Sequence, residues 1–371
     1  MIPRKLLAIK LRALGDTVLM TAPLLELRRA YPNAEIHVAV ESRWAPLLEN
    51  HPAVDKIWPY VRHSDKAARA KAAARLAIRL RDQHFDAVVN FHASPSSAMV
   101  SRATGARVRS VHFHGHKDKN QYSTVNIPGK GTLKPIIERD MDTVRALGLE
   151  IPEGQMPVIS LKQTEIYQAV ARIQRDLNLP NPILGLTFGA SRVTKSWPIE
   201  RFAAVAVSWC KMDKGSVFAF AGPDEAERMS EFLKAVEDII VNEIPNEQER
   251  FSIRNRIVSE TSVPLRQLAA LLSRFAVFLG NDSGPKHVAV AVGTPTVTVF
   301  GPEDPFEWHP YPTDKHPYLF VKNLECRKDA EPGMPPWCGV TECREQHKCM
   351  ELTGVAEVLA ECRRVARRET V

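Results

Sequence analysis

The segment GNDSGPKHVAVAVGTPTVTVFGP, residues 280–302, decides the fold class that this sequence predicts. An apolar strand ends at Leu279, a turn follows, and Pro285 is suited to the first position of a helix. A strand, a tight turn and a helix in this order form the basic unit of a nucleotide-binding parallel sheet. The turn would direct free backbone N–H groups and the helix dipole towards one point, which is how such folds bind phosphate.

Strands and helices alternate on both sides of this segment. In the C-terminal half the pattern predicts strands at residues 183–188, 216–221, 239–241, 276–280 and 296–300, with helices at 199–212, 225–236, 265–273 and after Pro285. In the N-terminal half it predicts strands at 6–11, 35–40, 56–59, 86–91 and 108–113, and a first helix at 18–31. Alternation of this kind is typical of parallel sheets covered by helices on both faces.

The length of 371 residues predicts two domains, because single cores rarely grow beyond roughly 200 residues. The regular pattern loosens around Pro152, Pro157, Pro180 and Pro182, so we place the domain junction in this region. We predict an N-terminal domain over residues 1–165, a C-terminal domain over residues 166–350 and a final helical segment over residues 351–371.

The composition indicates a packed globular protein, with 44% hydrophobic and 25% charged residues. Lys10, Arg12 and Asp16 interrupt the apolar N-terminus, so neither a signal peptide nor a membrane span is predicted there and a cytoplasmic location is expected. The net charge of +7 favours polyanionic partners, which are nucleic acid, an anionic lipid surface or a phosphorylated sugar. Charge alone does not choose among these three.

Three motifs together resemble the heptosyltransferases of glycosyltransferase family nine, and they span nearly the whole chain in the right order. The motifs are Leu14-Gly15-Asp16, the segment FGASRVTKSWP at residues 188–198, and Asp282-Ser283-Gly284 with His287, followed by Gly301-Pro302. The resemblance implies an α/β fold with two Rossmann-like doubly wound parallel-sheet domains facing a cleft, of the GT-B type, and a C-terminal crossover helix that returns to the N-terminal domain.

The resemblance also implies an activity, the inverting transfer of heptose from ADP-L-glycero-D-manno-heptose to a lipopolysaccharide inner-core acceptor. The N-terminal domain would bind the acceptor, and the C-terminal domain would bind the nucleotide sugar. No cofactor and no metal ion are expected beyond the donor substrate, ADP-heptose. Another nucleotide sugar or another acceptor stays open, because side chains in loops of the first domain select them.

Two residues are expected to be catalytic. Asp16 follows Gly15 in a strand-to-helix turn, and the resemblance implies that its carboxylate is the general base for the acceptor hydroxyl, as a single displacement requires. The alternative role for Asp16 is to cap the following helix. Lys195, just before Trp197-Pro198, would contact donor phosphate and neutralise charge on the leaving diphosphate, unless it is an ordinary exposed lysine.

The donor is expected to contact loops that follow strands of the C-terminal domain. Small residues let the backbone approach the diphosphate, and a hydroxyl or carboxylate can hold sugar or ribose oxygens. For Glu225, an exposed position is an equally acceptable interpretation, and Asp282 and Ser283 could simply cap a helix. The expected donor-binding residues are Gly189, Ala190, Ser191, Glu225, Asp282, Ser283, Gly284 and His287.

Basic residues of the N-terminal domain are candidates for binding a phosphorylated, lipid-linked saccharide acceptor, with possible peripheral contact with the inner face of the inner membrane. The first stripe, at helical spacing, is Arg62, Lys66 and Arg69, and a second stripe is Lys71, Arg75 and Arg79. Another cluster is Arg102, Arg107, Arg109, His112, His114 and Lys117. Exposed charged faces of helices often have no ligand at all.

Four cysteines lie close together in the sequence, Cys326, Cys338, Cys343 and Cys349, with 11, 4 and 5 residues between successive members. This spacing is irregular for zinc, although His347 could complete a structural metal site. Disulfides are disfavoured in the cytoplasm, so reduced thiols are the favoured interpretation. No catalytic metal is expected here.

Two other classes of function find no support in the sequence. A nicotinamide dehydrogenase would carry Gly-x-Gly-x-x-Gly after its first strand, and neither this fingerprint nor a P-loop is present. A nucleic-acid-binding protein is suggested only by the pI of about 9.1, because no helix-turn-helix, zinc finger or RNA-binding signature occurs. Nucleic acid is therefore not an expected partner.

Overall fold

The computed structural model of the chain describes residues 2–92, 94–112, 120–127, 134–327, 338 and 342–367. The chain divides into two compact units, residues 1–160 and 161–371. This division lies five residues before the predicted boundary, in the same proline-rich stretch.

The N-terminal unit is built on a five-stranded parallel sheet with the strand order β3-β2-β1-β4-β5. The strands are β1 (Lys5–Lys10), β2 (Glu35–Glu41), β3 (Lys56–Tyr60), β4 (Ala87–Asn90) and β5 (Val108–Val111). The helices are α1 (Leu14–Leu19), α2 (Thr21–Ala30), α3 (Lys66–Arg81), α4 (Pro95–Ala103) and α5 (Ile136–Arg145). The chain reverses its direction of growth between β1 and β4, and ligands of such sheets bind beyond the carboxyl ends of the strands at this point.

Both faces of the first sheet are buried, because alternate residues of its strands enter two separate cores. Leu6 and Ala8 of β1 pack in one core, and Leu7 and Ile9 pack in the other. All four side chains are fully buried. A continuous apolar run such as that of β1 is typical of a central parallel strand.

The C-terminal unit is built on a six-stranded parallel sheet with the order β11-β10-β9-β6-β7-β8. The strands are β6 (Ile183–Thr187), β7 (Ser216–Ala221), β8 (Ile257–Thr261), β9 (Val277–Asn281), β10 (Thr296–Phe300) and β11 (Tyr318–Phe320). The helices are α6 (Gln163–Ala171), α7 (Ile199–Met212), α8 (Ala226–Glu243), α9 (Glu247–Arg254), α10 (Leu265–Leu272), α11 (Gly284–Ala291), α12 (Pro305–Trp308), α13 (Lys348–Glu351) and α14 (Val355–Arg367). Its switch point lies between β6 and β9, and the prediction of two doubly wound parallel sheets is confirmed.

One predicted strand is wrong. Residues 239–241 belong to α8, which continues to Glu243. The buried residues of this helix, Met229, Phe232, Val236 and Ile240, recur every three or four positions, so helical periodicity outweighs the β-branched run. The strand that follows β7 in the sheet is instead β8, which comes after α9 in the chain. The short strand β11 was not predicted.

The C-terminal helix α14 packs on the core of the second unit. Its buried residues Val358, Cys362 and Val365 belong to the same apolar cluster as residues of α7, β9 and β10. The predicted return of this segment to the N-terminal domain stays a prediction. None of the helices in the described ranges is both long and apolar enough to span a bilayer.

Candidate functional site

Asn281, the last residue of β9, holds the loop after β6 in place at the switch point of the second sheet. Its Oδ1 accepts a hydrogen bond from the backbone N–H of Trp197 at 3.0 Å, and its Nδ2 donates to the carbonyl oxygen of Phe188 at 3.0 Å. Asn281 is fully buried. The loop after β6, which contains the predicted donor-binding residues, is therefore held at both ends against the end of β9.

Asp282 lies between two lysines immediately beyond this strand. Its Oδ2 is 3.0 Å from Nζ of Lys195, and its Oδ1 is 2.6 Å from Nζ of Lys286. Burial alone would raise the pKa of Asp282, but Lys286 and Lys195 more than offset this effect and hold the pKa well below its ordinary value. Asp282 is therefore ionised, and the structure brings it together with Lys195 as the sequence predicts.

Lys286 is the more deeply buried of the two lysines. Its side chain is fully buried on α11, donates to the carbonyl oxygen of Trp308 at 3.1 Å and lies 4.5 Å from the centroid of the Phe300 ring. Burial lowers the pKa of Lys286, and Asp282 opposes this effect. A buried ammonium and carboxylate stabilise each other only as a pair, because each alone would lack compensation for its lost hydration.

Cations outnumber carboxylates around this turn. Glu303, after β10, pairs with Arg192 and lies 3.4 Å from Nζ of Lys195. With Lys286, three cations therefore face the two carboxylates of Glu303 and Asp282. The N-terminus of α11 adds the positive end of a helix dipole, so the site has the electrostatic character that a diphosphate needs.

Ser283 is the N-cap residue of α11, but its hydroxyl makes no capping hydrogen bond. The oxygen is buried and has no hydrogen-bond partner within the described part of the chain. A buried hydroxyl without a partner is costly, and a ligand oxygen at this turn would satisfy it. The hydroxyl of Ser283 therefore does not cap the helix, which was the alternative interpretation, and its contact with a donor stays a prediction.

Gly189 allows the loops after β6 and β7 to lie side by side. A Cβ atom added at Gly189 would lie 2.2 Å from Oε1 of Glu225, whose Oε2 accepts a hydrogen bond from the N–H of Gly222 at 2.8 Å. Ala190 is half-buried and Ser191 is exposed in the same loop. The structure thus brings Gly189 and Glu225 together, and their contact with a donor stays a prediction.

His287 is buried behind the turn rather than exposed on it. Only 6% of its surface is exposed, and its Nδ1 is hydrogen-bonded to the hydroxyl of Tyr311. Burial holds the pKa of His287 well below its ordinary value, so the ring is neutral at neutral pH. A contact of His287 with the donor stays a prediction.

Asp16 lies in the first turn of α1, beyond the carboxyl end of β1. Its Oδ2 accepts a hydrogen bond from the backbone N–H of Ala13, the N-cap residue, at 3.0 Å, so the capping role is partly present. Its Oδ1 is 3.5 Å from Nζ of Lys10, and one third of the side chain is exposed. The carboxylate can therefore be reached by a ligand while one side of it is held by the helix.

Lys10 connects Asp16 to the buried Asp140 of α5. Its Nζ lies 2.9 Å from Oδ2 of Asp140 and donates to the carbonyl oxygen of Phe91 at 3.0 Å. Burial lowers the pKa of Lys10, but Asp140 and Asp16 more than compensate and raise the pKa above its ordinary value. Burial also raises the pKa of Asp140, to about 6, despite the opposing effect of Lys10.

Asp140, Met141 and Asp142 form an Asp-x-Asp sequence, which metal-dependent glycosyltransferases of another architecture use to bind a cation. Here the sequence lies within α5, and both carboxylates already have cationic partners. Asp142 pairs with Lys134 at 2.5 Å and with Arg145 at 2.9 Å. In the parts of the chain that the structure describes, no group of three or more His, Cys, Asp or Glu side chains is placed to hold a metal ion.

Two of the three predicted acceptor-binding residues line one cavity of about 340 Å³ in the N-terminal unit. Arg62 and Arg69 lie there with Arg12 and His92, together with Leu11, Tyr60 and residues 94–96. Burial lowers the pKa of His92 to about 4, and the charges of Lys10, Asp16, Arg12 and Arg62 also act on it. The cavity thus adjoins the Asp16 region, whereas Lys66 does not line it and is exposed on α3.

The second predicted basic cluster does not form one cavity. Arg107 lines a different depression with Arg4 and Arg81, and Arg109 donates to the carbonyl oxygens of Ala106 and Tyr122. Arg102 is exposed, and burial lowers the pKa of His112 to about 4. His114 and Lys117 lie outside the described residues.

The six cysteines are all free thiols. Cys326 is exposed, and Cys338, Cys343 and Cys349 are half-buried. The backbone N–H groups of Glu345 and His347 donate to Sγ of Cys343 at 3.4 and 3.2 Å. These cysteines are therefore not paired in a disulfide, and in the described residues they and His347 are not grouped as metal ligands.

Four residues that complete the two sites were not predicted as site residues from the sequence: Lys10, Asp140, Lys286 and Glu303. Lys286 could have been found, because it stands four positions after Asp282, the spacing at which helical side chains pair. Lys10 stands inside an apolar strand, where a lysine needs a buried partner. Asp140 is 130 positions away from it, and no local pattern links the two residues.

The sequence matches the model of a known protein family. The family model described as Glycosyltransferase family 9 (heptosyltransferase) matches residues 73–333. The chain is 25% identical over 305 residues to lipopolysaccharide heptosyltransferase 3 of Escherichia coli (strain K12), covering 80% of this chain and 82% of that protein.

Two solved structures share the fold. ADP-heptose LPS heptosyltransferase II of E. coli has a TM-score of 0.75 at 20% identity, covering 99% of this chain and 100% of that one. A family 9 glycosyltransferase from Veillonella parvula has a TM-score of 0.74 at 19% identity, covering 98% and 97%. The predicted GT-B type of fold is confirmed by this likeness.

Because the ion pairs of Asp282 are buried, breaking them should lower the free energy of unfolding much more than breaking an exposed ion pair. Asp282→Asn leaves Lys286 buried without its carboxylate, so we expect the free energy of unfolding to fall by about 3–5 kcal/mol. Glu345→Gln is the control, because it breaks the exposed pair with Lys348 and should cost less than about 1 kcal/mol. Urea unfolding followed by fluorescence measures both values, and equal losses would contradict the assignment of Asp282 as a structural counter-ion.

Proposed function

The chain belongs to glycosyltransferase family 9, the heptosyltransferases, and from this premise we propose that it transfers heptose from ADP-L-glycero-D-manno-heptose to a lipopolysaccharide inner-core acceptor with inversion. The observation that carries the proposal is the cationic turn at the N-terminus of α11, where Lys195 and Lys286 hold Asp282. The names of the relatives, lipopolysaccharide heptosyltransferase 3 and ADP-heptose LPS heptosyltransferase II, support the choice of donor and acceptor.

The proposal assigns the donor to the C-terminal unit. The diphosphate would accept hydrogen bonds from Lys195, from the Ser283 hydroxyl and from the first N–H groups of α11. Lys195 would exchange part of its contact with Asp282 and Glu303 for phosphate oxygens. Its charge then stabilises the ADP that leaves as the bond to the anomeric carbon breaks. Gly189 and Glu225 would approach the nucleoside.

The proposal assigns the acceptor to the N-terminal unit, with Asp16 as the general base. The acceptor oxygen forms the new bond to the anomeric carbon, and its proton passes to the Asp16 carboxylate. Lys10 is a positioning residue, since its ammonium lies 3.5 Å from Oδ1 of Asp16 and is itself fixed by Asp140. This arrangement orients the carboxylate before the acceptor binds.

A phosphate group on the acceptor would bind in the cavity lined by Arg12, Arg62 and Arg69. Guanidinium groups suit this role because they hold phosphate with paired hydrogen bonds. Lys66, exposed at the start of α3, would contact the acceptor outside the cavity. We further propose that the reaction takes place in the cytoplasm, at the inner face of the inner membrane, and that it needs no cofactor or metal ion.

The role of Asp16 predicts a loss in turnover rather than in donor affinity. We expect Asp16→Asn to lower kcat by about 10²–10⁴-fold with a nearly unchanged KM for ADP-heptose. Lys10→Met should lower kcat less, because the base remains but its orientation is lost. Steady-state assays with ADP-heptose measure both effects, and turnover should persist in a chelator. A wild-type kcat in Asp16→Asn would contradict the assignment of Asp16 as the general base. Transfer from UDP-sugars but not from ADP-heptose would contradict the proposed donor.

The arginine cavity predicts an effect that depends on acceptor phosphate. We expect Arg62→Ala and Arg69→Ala each to raise the KM for a phosphorylated acceptor about 10–100-fold, since each removes a charge-assisted hydrogen bond of about 1.5–3 kcal/mol. The KM for a dephosphorylated acceptor should change little. Arg175→Ala, which removes an exposed arginine of the C-terminal unit, is the control. Equal losses with both acceptors would show that the cavity does not bind phosphate.

A further inference from the structure

The outer face of α3 is cationic and contains no acidic residue. The helix carries six cations and no aspartate or glutamate among its sixteen residues. Leu76 and Leu80 are buried on its inner side. Lys71, Arg75 and Ile78 are exposed and follow one another at helical spacing, so they share the outer face.

The cations at the centre of this face are Lys71 and Arg75. In the described ranges of the chain, neither Lys71 nor Arg75 forms an ion pair with a carboxylate. By contrast, Arg79, at the edge of the face, lies over the ring of Trp58 at 5.0 Å from its centroid. The charges of Lys71 and Arg75 are therefore available to an anionic surface.

Large apolar side chains are also exposed on α3 and on the neighbouring helix α4. Ile78 is 65% exposed on α3, and Met99 is 62% exposed on α4, which packs beside α3. Cations beside an exposed large apolar side chain can contact anionic headgroups while the apolar side chain reaches the edge of the acyl region. Nucleic acid could bind the cations of this face, but its phosphate backbone would make no favourable contact with the exposed side chains of Ile78 and Met99.

The same helix adjoins the acceptor cavity. Arg69, in the first turns of α3, lines that cavity with Arg62, and the neighbouring Val61 is 56% exposed. An acceptor whose lipid remains in a bilayer would present its saccharide at this end of α3. The position of the helix therefore matches the proposed substrate.

We propose that the outer face of α3, Lys71, Arg75 and Ile78 with Met99 of α4, docks the protein on a bilayer of anionic phospholipid. This inference rests on the proposed function, because a lipid-linked acceptor gives the protein a reason to bind a bilayer. Vesicle binding nevertheless tests it without any transfer reaction. Lys71 and Arg75 attract the anionic headgroups, and Ile78 and Met99 enter the boundary between headgroups and acyl chains.

The test is sedimentation of the full chain with vesicles of phosphatidylglycerol and phosphatidylcholine in equal parts, compared with phosphatidylcholine alone. Each cation near an anionic surface contributes about 1 kcal/mol, or about fivefold. Lys71→Gln/Arg75→Gln should therefore weaken binding to the anionic vesicles about 25-fold. Ile78→Ser should weaken the binding that persists at high salt.

The matched control is Lys211→Gln/Lys234→Gln, which removes two exposed lysines of the C-terminal unit and should leave vesicle binding unchanged. The proposal would be overturned if Lys71→Gln/Arg75→Gln bound anionic vesicles as well as the control does. It would also be overturned if the wild type bound oligonucleotides through this face but did not bind vesicles. Transfer to a water-soluble acceptor should be unaffected in Ile78→Ser, while transfer to a vesicle-embedded acceptor falls. A wild type that binds vesicles but transfers no heptose would refute the proposed function and leave the docking surface intact.

Discussion

The ion pairs of Asp282 with Lys195 and Lys286 are the interaction on which the second unit's site depends. The carboxylate is almost fully buried at the switch point of the sheet, where it can be ionised only because two ammonium groups compensate for its lost hydration. The pairs fix the side chain of Lys286, in the first turn of α11, and draw Lys195 towards the same point. The positive potential of the turn thus results from charges that the fold itself requires.

The first unit uses a related arrangement. Lys10, at the end of the central strand β1, is buried against Asp140 and lies close to the partly exposed Asp16. In both sheets a buried lysine beneath the switch point holds an aspartate, yet the outcome differs. Asp282 is enclosed between its lysines, whereas one third of the Asp16 side chain stays exposed. Burial decides which carboxylate is structural and which is accessible.

Local sequence patterns predicted the sheets because each central strand is a continuous apolar run bounded by turn residues. They failed at residues 239–241, where three β-branched residues lie inside a long amphipathic helix, and at β11, which has three residues. Asp282, Lys195 and Asp16 were found because motifs mark them. Lys10 and Asp140 were not, because their pairing depends on how α5 packs against the sheet, and that contact joins distant parts of the chain.

The buried amide of Asn281 has a consequence for the thermodynamics of the donor binding that we propose for the loop after β6. It clamps the loop after β6 through Phe188 and Trp197, and the indole of Trp197 is anchored in turn to the carbonyl oxygen of Thr353. The loop therefore gains its order during folding, when the core of the second unit forms. Binding at this loop then loses little conformational entropy, because preorganisation has already met that cost.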